Sequence, residues 1–405
     1  MNRESKIGHD FFHKMVWKRF IRLPYGHLLN YAGRNGEAFF PTAQECSKAM
    51  PNPRSWGLPI SDGGFFTGLY TYAMIEKYRK NKTQKTADEI NILVNGLYLL
   101  QDVAKIEGFI ARGVAEDGKS HYPMGAECQT FPWVLALFSY YNSDLCNDKE
   151  SVKKRILRIL FALEKCGWNI PCDEEGLFYK CEWEKASDWR SVVMLVYCVR
   201  VLYELTLDEK YLIKYKSLLV TCPINCVYTR KEIISQGYSH DMITSFGNQT
   251  WICTYSHLAV RQLLALDNEN EQFFRTCLYN NGVTALKNAE SINLYDNELG
   301  KFDINWRRLN DLWEWYDKNV EKGTEISNRQ SAFWCTHVVP HRRMEHGILG
   351  NALFATWVAT TSGDERISQK AISIMKEGAK NIDWDGMSQS YMFAGECALI
   401  FGEDL

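Results

Sequence analysis

Residues 63–80 read Gly-Gly-Phe-Phe-Thr-Gly-Leu-Tyr-Thr-Tyr-Ala-Met-Ile-Glu-Lys-Tyr-Arg-Lys, a stretch that is apolar on nearly every face until its last turn. A helix of this kind is buried on most of its sides. After a short polar turn, residues 86–104 have a more mixed composition, which predicts an amphipathic helix. The two segments therefore predict a couple, in which a buried helix is followed by a half-exposed helix that covers it.

The same couple recurs along the chain. The apolar members begin near residues 63, 129, 188, 248, 345 and 388, and amphipathic members follow at 86–104, 149–167, 208–221, 270–289 and 364–382. The last apolar segment has no following partner, and the amphipathic segment 7–23 supplies one from the other end of the chain. Six couples predict an all-α protein in which the apolar helices form the inner wall of a closed double ring and the amphipathic helices cover them.

The spacing of the couples also bears on domain organisation. The intervals between the apolar segments are irregular, which disfavours an open helical solenoid built from a fixed repeat. We predict a single domain over residues 1–405, with a rim insertion rich in Trp and Arg around 290–344.

Composition excludes several classes of function. The net charge of -2 gives no field that would favour nucleic acid or an acidic membrane, and no run of about 18 apolar residues predicts a transmembrane helix. The start of the chain has no apolar signal-peptide core, and the 13 cysteines contain no Cys-x-x-Cys pair. We therefore expect a cytoplasmic protein with reduced thiols, or a periplasmic or secreted one if a signal peptide was removed. The sequence does not indicate the oligomeric state.

Polar and aromatic residues precede each apolar helix. In a closed ring the inner helices all point the same way, so that their N-terminal ends meet at one mouth. The clusters that we expect there are Ser61-Asp62, Glu127 to Gln129, Ser187 to Arg190, His240-Asp241 with Asn248-Gln249, Glu345-His346 and Asp383 to Gly386. The Asp117-Gly118 turn predicts a β-hairpin at 108–123, and 173–183 is a similar segment. We expect both to be short rim loops, the first of which delivers His121 and Tyr122 to the mouth.

Carboxylates gathered at a concave, aromatic-lined mouth suit glycosidic chemistry, because one carboxylic acid protonates the leaving oxygen while a carboxylate assists water or the developing cation. The catalytic candidates are Asp188, Asp62 and Glu127. For Asp188 and Asp62 the alternative is a helix N-cap. Aromatic faces stack on sugars and Arg grips a uronate carboxylate, so the substrate-binding candidates are His121, Tyr122, Gln129, Trp189, Arg190, His240, Asp241, Gln249, Trp251, Trp334, Glu345 and His346.

Metal and cofactor signatures are weak. His337, His341 and His346 invite a metal site, but Pro340 breaks the helical spacing and no neighbouring Glu completes a zinc-protease pattern. The chain has no glycine-rich phosphate loop. We therefore expect neither a metal nor a cofactor, and an oligosaccharide is the expected partner.

In this architecture the chain resembles the six-hairpin (α/α)6 toroid enzymes that act on carbohydrates, nearest to the unsaturated glucuronyl and rhamnogalacturonyl hydrolases. The resemblance implies that Asp188 is the general acid/base that protonates an enol-ether double bond, with Asp62 as a second site carboxylate. Those families commonly carry an Arg-Gly-x-Gly-Trp run near that Asp, whereas this chain has Ala186-Ser-Asp-Trp-Arg190.

Ordinary glycoside hydrolysis is an equally good interpretation of the same predicted helical ring. A sugar epimerase would depend on His240 and His346, and a polysaccharide lyase would use Tyr122 or His121 as its base. A sugar-binding protein without catalysis is the remaining alternative.

Overall fold

Helices dominate the computed structural model, which describes residues 8–239, 250–297, 303–338 and 344–403. The prediction of an all-α protein is confirmed. The α-helices are α1 His9–Arg19, α2 Ala43–Ser47, α3 Gly63–Lys80, α4 Gln84–Asp102, α5 Glu127–Tyr141, α6 Lys149–Lys165, α7 Trp189–Thr206, α8 Glu209–Val220, α9 Arg230–Gln236, α10 Thr250–Leu266, α11 Glu271–Ala289, α12 Val320–Phe333, α13 Asn351–Thr360, α14 Glu365–Ala379 and α15 Met392–Gly402. Two antiparallel pairs of short strands accompany them, β1 Ile21–Arg22 with β2 His27–Leu28 and β3 Ile170–Pro171 with β4 Phe178–Tyr179.

The predicted apolar segments form helices that are buried over most of their length. In α3 every residue from Gly63 to Ile75 is buried, and in α5 every residue from Gln129 to Tyr140 is buried. The amphipathic segments instead bury one stripe, as the pattern predicts. In α14, for example, this stripe includes Ile367, Ala371, Met375 and Ala379.

Each buried helix packs against a covering helix. The pairs are α3 with α4, α5 with α6, α7 with α8, α10 with α11, α13 with α14, and α15 with α1. The last pair joins helices from opposite ends of the chain, as the pattern of 7–23 predicts.

The buried helices also contact one another in order. Helix α3 packs on α5, α7 on α10, α10 on α13, α13 on α15, and α15 on α3. Helices α5 and α7 meet through Phe131 and Tyr197, whose ring centres are 5.4 Å apart. A side chain at Gly68 of α3 would lie 2.6 Å from the carbonyl oxygen of Pro132, so this glycine allows α5 to approach closely.

The loops differ from the prediction in one place. Residues 108–123 form a turn at Asp117, where the N–H of Ala115 donates to Ser120 at 2.7 Å, but they form no strands, because other backbone groups of the segment bond to neighbouring segments. The N–H of Ala111 donates to Leu100 at 3.0 Å, and that of Glu116 donates to Pro41 at 3.0 Å. A β-hairpin does form between β3 and β4, and its second strand lies in the second segment that the sequence suggests for the rim, whereas its first strand precedes that segment.

The segment 290–344 contains α12 and several short 3-10 and π-helical stretches in its described part. Its Trp306 and Trp334 are buried in a small second core with Leu29, Leu58 and Tyr122, which ties this segment to the loops before α3 and before α5. Among the described helices, none combines the length and the apolar composition that crossing a membrane requires.

Candidate active site

A cavity of about 410 Å³ lies at the N-terminal ends of the buried helices. Each of these six helices contributes a lining side chain from its first turn or from the residues just before it. These side chains are Asp62 before α3, Glu127 in α5, Arg190 in α7, Trp251 in α10, His346 before α13 and Tyr391 before α15. The first five are among the residues that the sequence predicts for the site.

Asp62 stands at the N-cap position of α3, but its side chain does not cap the helix. Its Oδ2 accepts a hydrogen bond from Asn30 at 2.6 Å, and its Oδ1 accepts from Gln129 at 3.0 Å and from Arg112 at 3.4 Å. The amide oxygen of Gln129 accepts from the backbone N–H of Phe65 at 3.2 Å, so a side chain of α5 provides the acceptor for a backbone donor in the first turn of α3. This arrangement orients the Asp62 carboxylate and leaves 22% of the side chain exposed.

Glu127 is paired with a cation. Its Oε1 lies 3.3 Å from Nη1 of Arg190, and its Oε2 accepts from the indole of Trp183 at 3.5 Å. Burial alone would lower the pKa of Arg190, but Tyr255 and Glu127 outweigh that effect and raise the pKa. Arg190 is therefore a permanent positive charge beside this carboxylate.

Two further guanidinium groups lie at this cavity. Arg54 lines it and is buried, with its guanidinium 4.6 Å from the ring centre of Tyr179 and 5.0 Å from that of Trp56. Arg112 is buried beneath Asp62 and donates to the carbonyl of Ser61 at 2.8 Å. In both arginines, Nε and Nη2 have no hydrogen-bond partner among the described residues. Burial lowers the pKa of Arg112.

Aromatic and imidazole groups complete the cavity wall. The ring of Trp251 meets that of His346 edge to face, with centres 4.9 Å apart. Nδ1 of His346 is hydrogen-bonded to the hydroxyl of Tyr391. With Trp56 and Tyr179, these rings give the cavity flat apolar faces next to charged groups.

Several predicted residues lie close to the cavity without lining it. The carboxylate of Asp188 caps α7 by accepting from the N–H of Ser191 at 3.0 Å. Trp189 is buried and donates to the carbonyl of Ile234 at 3.1 Å. The buried carboxylate of Glu345 accepts from the backbone N–H of Ser388 at 3.0 Å and from that of Gln389 at 2.7 Å.

The remaining predicted residues are elsewhere. Nε2 of His121 bonds Oδ2 of Asp173 at 2.7 Å, and both residues line a separate cavity of about 620 Å³. Tyr122 and Trp334 are buried in the small second core, and the Tyr122 hydroxyl donates to the carbonyl of Met50. His240, Asp241 and Gln249 lie outside the described residues.

Sequence reasoning missed Asn30, Arg54, Arg112, Tyr179 and Tyr391. A signal existed for Arg112, because it is a single charge within the largely apolar run Phe109 to Val114. Asn30 and Arg54 lie in irregular loops before α3, where no periodic pattern indicates direction.

Comparison of the chain with protein-family models, with curated proteins and with solved structures finds no match. A functional conclusion therefore depends on the side chains of this cavity and on the chemistry that they can support.

Proposed function

We propose that the protein is a carbohydrate-active hydrolase that cleaves a glycosidic bond in an oligosaccharide, with uronate-containing chains as the preferred substrates. The observation that carries the proposal is the composition of the cavity to which all six buried helices contribute. It combines two carboxylates, four aromatic rings, the buried Arg54 and the partly buried Arg190. Carboxylates supply the acid and the base for glycoside hydrolysis, and aromatic faces bind sugar rings.

We propose that the helices form an (α/α)6 toroid over a single domain, with the segment 290–344 inserted at its rim. Two sets of contacts support this arrangement. Contacts between the buried helices run from α3 through the others and return from α15 to α3, and each buried helix has its own covering partner. In such a ring the cavity would occupy the mouth, at the N-terminal ends of the inner helices.

Asp62 and Glu127 would share the chemistry. Asp62, oriented by Asn30 and Gln129, would take a proton from the attacking water. Glu127 would give a proton to the leaving oxygen as the bond between that oxygen and the anomeric carbon breaks. A uronate carboxylate that draws Arg190 away from Glu127 would favour the protonated form of Glu127. The hydroxyl of the attacking water bonds to the anomeric carbon. The proton that Asp62 took from this water then returns through solvent to Glu127, which restores both carboxyl groups to their starting states.

Arg54 supports the preference for an acidic sugar. Two of its donors have no hydrogen-bond partner among the described residues, although the side chain is buried and lines the cavity. Buried donors without a partner are costly, and a planar carboxylate would satisfy both of them in a two-pronged hydrogen bond.

A sugar epimerase is the second candidate, because His346 lines the cavity between Trp251 and Tyr391. A lyase that uses Tyr122 or His121 as its base has less support, since Tyr122 is buried in the second core and His121 lies at the separate cavity.

A panel of oligosaccharides tests these proposals. It would include neutral chains, chains capped by a saturated uronate and chains capped by an unsaturated uronate, read by reducing sugar, ultraviolet absorbance and product epimers. We expect release of reducing sugar, fastest from uronate-capped chains, with loss of absorbance if the cap is unsaturated. A gain of absorbance would indicate a lyase, and a new epimer without cleavage would indicate an epimerase. Either result, or the absence of any reaction, would contradict the hydrolase proposal.

A further inference from the structure

Two histidines and a buried glutamate lie together between the first and the last described helices. His9 and His13 are one turn apart on α1, so both side chains lie on one face of the helix. Glu396 projects from α15 and is completely buried. None of the three is among the residues that line the candidate active site.

We propose that His9, His13 and Glu396 form a binding site for a divalent transition-metal ion, and that Zn²⁺ is the ion that these donors fit best. Two imidazoles and one carboxylate are ligands that zinc commonly takes in proteins, with a water or a further ligand as the fourth. The site is independent of the proposed hydrolase activity.

The distances between the ligand atoms suit a single ion. Oε1 of Glu396 is 2.8 Å from Nδ1 of His13 and 3.2 Å from Nε2 of His9, and the three atoms all lie within 4.8 Å of one another. Ligand atoms of a tetrahedral zinc ion with bonds of about 2.0–2.1 Å are roughly 3.4 Å apart. Small side-chain rotations would therefore bring all three atoms to one ion.

Each of the three ligands also has an outer partner. Nε2 of His13 bonds Oε1 of Glu89 at 3.0 Å, and Nδ1 of His9 bonds Oδ1 of Asp10 at 3.3 Å. The hydroxyl of Tyr70 donates to Oε2 of Glu396 at 2.8 Å. A carboxylate on the second nitrogen of a histidine is the usual support of a metal ligand, because it fixes the tautomer and the orientation of the ring.

The hydrogen bonds of the cluster leave two buried atoms unexplained. Nε2 of His9 has no hydrogen-bond partner among the described residues, although it lies 3.2 Å from Oε1 of Glu396. Oε2 of Glu89 is also buried without one. A ring nitrogen that approaches a carboxylate oxygen without the geometry of a hydrogen bond is the arrangement that an ion between the two atoms would satisfy.

The charges around the two histidines favour a cation. Glu396, Glu89 and Asp10 are opposed by Lys77 and by Lys85, whose Nζ lies 3.8 Å from Oε1 of Glu89. Apart from the histidines themselves, these three carboxylates and two ammonium groups leave an excess of one negative charge. A bound ion would link α1 to α15, so its role would be to fasten together helices from opposite ends of the chain.

Titration of the chelator-treated full chain with ZnCl₂, followed by calorimetry and by thermal unfolding, tests the site. We expect the wild-type chain to bind one Zn²⁺ that His9→Ala loses or binds at least tenfold more weakly, and we expect that Zn²⁺ raises the melting temperature of the wild type but not that of His9→Ala. Because His9 lies in the first turn of α1, its truncation should leave the protein folded. His337→Ala is the matched control, since His337 is exposed and outside the cluster, and it should bind Zn²⁺ as the wild type does.

Glu89→Gln provides a second readout, because it keeps the three ligands and weakens only the outer carboxylate. We expect a 10- to 100-fold loss of zinc affinity in this variant. The 13 cysteines of the chain can also bind zinc as thiolates. Equal binding by wild type and His9→Ala would place the ion on cysteines and overturn the proposal, as would a wild-type chain that binds no Zn²⁺.

Discussion

Asp62 and Asp188 occupy the same position relative to their helices, but their carboxylates have different partners. Asp188 caps α7, whereas Asp62 is held by the side chains of Asn30 and Gln129. The sequence predicts both as helix-start residues and offers a cap or a catalytic role for each. It cannot separate the two roles, because the partners of Asp62 lie 32 and 67 residues away in the chain.

Two substitutions of Asp188 separate the cap from catalysis. Since Asn caps as well as Asp does, we expect Asp188→Asn to leave both stability and turnover unchanged. Asp188→Ala removes the bond to Ser191 and should lower the free energy of unfolding by about 1 kcal/mol. Urea denaturation and turnover measure the two effects. If Asp188 is instead the general acid/base, Asp188→Asn will lower turnover by about 100-fold or more at unchanged stability.

The histidines inside the helical core make stability depend on pH. His257 is buried between Asn281 and Thr361, and burial lowers its pKa to about 3; burial also lowers the pKa of His27 to about 4. In the unfolded chain both titrate near about 6.5. Above pH ~6.5 both histidines are therefore mostly neutral in the folded and in the unfolded chain, and their burial does not make the free energy of unfolding depend on pH. As the pH falls below that value, the unfolded state binds more protons than the folded state and stability is lost.

We expect each of these histidines to lower the free energy of unfolding by about 2 kcal/mol between pH 7 and pH 5. Urea denaturation at the two pH values measures the loss. His257→Gln removes one of the two groups, so its pH dependence should be shallower by about that amount. A variant with the pH dependence of the wild type would contradict this assignment.

Among the loops, Asp173 is the residue that holds the predicted rim segments together. Its Oδ1 accepts from the N–H groups of Lys105 and Ile106 at 2.7 and 2.8 Å, and its Oδ2 bonds His121 at 2.7 Å. The sequence identifies both rim segments from their turn residues. It does not predict that His121 joins them at the separate cavity, because an exposed and a hydrogen-bonded histidine look the same in a sequence.

Asp173→Ala leaves three donors of partly buried hydrogen bonds without an acceptor, and we expect it to lower the free energy of unfolding by about 2 kcal/mol. Asp117→Ala is the matched control. Asp117 also accepts three hydrogen bonds, from Lys119 and Ser120, but it lies on an exposed turn where water replaces them. We expect a loss of at most about 1 kcal/mol there. Equal losses in the two variants, measured by urea denaturation, would mean that Asp173 does not fasten these two loop segments together.

Across the whole chain, hydrophobic periodicity predicts the buried helices and their covering partners, including the pairing of α1 with α15. The direction of individual aromatic side chains does not follow from it. Trp189 and Trp334 are predicted to bind substrate but are buried. The prediction fails for them because an aromatic residue next to a helix end suits the core and a sugar site equally well. The pairing of the helices depends on a pattern repeated over many residues, whereas the direction of an aromatic side chain depends on single contacts between distant segments.

The contact between the two ends of the chain should contribute to the stability of the whole molecule. Phe12 of α1 is fully buried and meets Trp384 edge to face at 4.9 Å. We expect Phe12→Ala to lower the free energy of unfolding by about 3–4 kcal/mol, with far-ultraviolet and near-ultraviolet circular dichroism changing in one transition. Phe161→Ala on α6, where the ring is 44% exposed, is the control and should cost less than about 1 kcal/mol. Equal costs in the two variants would show that α1 is a peripheral addition.

The most direct test of the proposed activity compares the wild-type chain with Asp62→Asn on uronate-capped oligosaccharides. Sugar release is measured alongside the melting temperature of each chain. We expect the wild type to release sugar and the variant to do so at least about 100-fold more slowly at a similar melting temperature, because the amide cannot accept a proton from water. Equal rates for the two chains, or no release by the wild type, would contradict the assignment of this cavity as a glycosidase site.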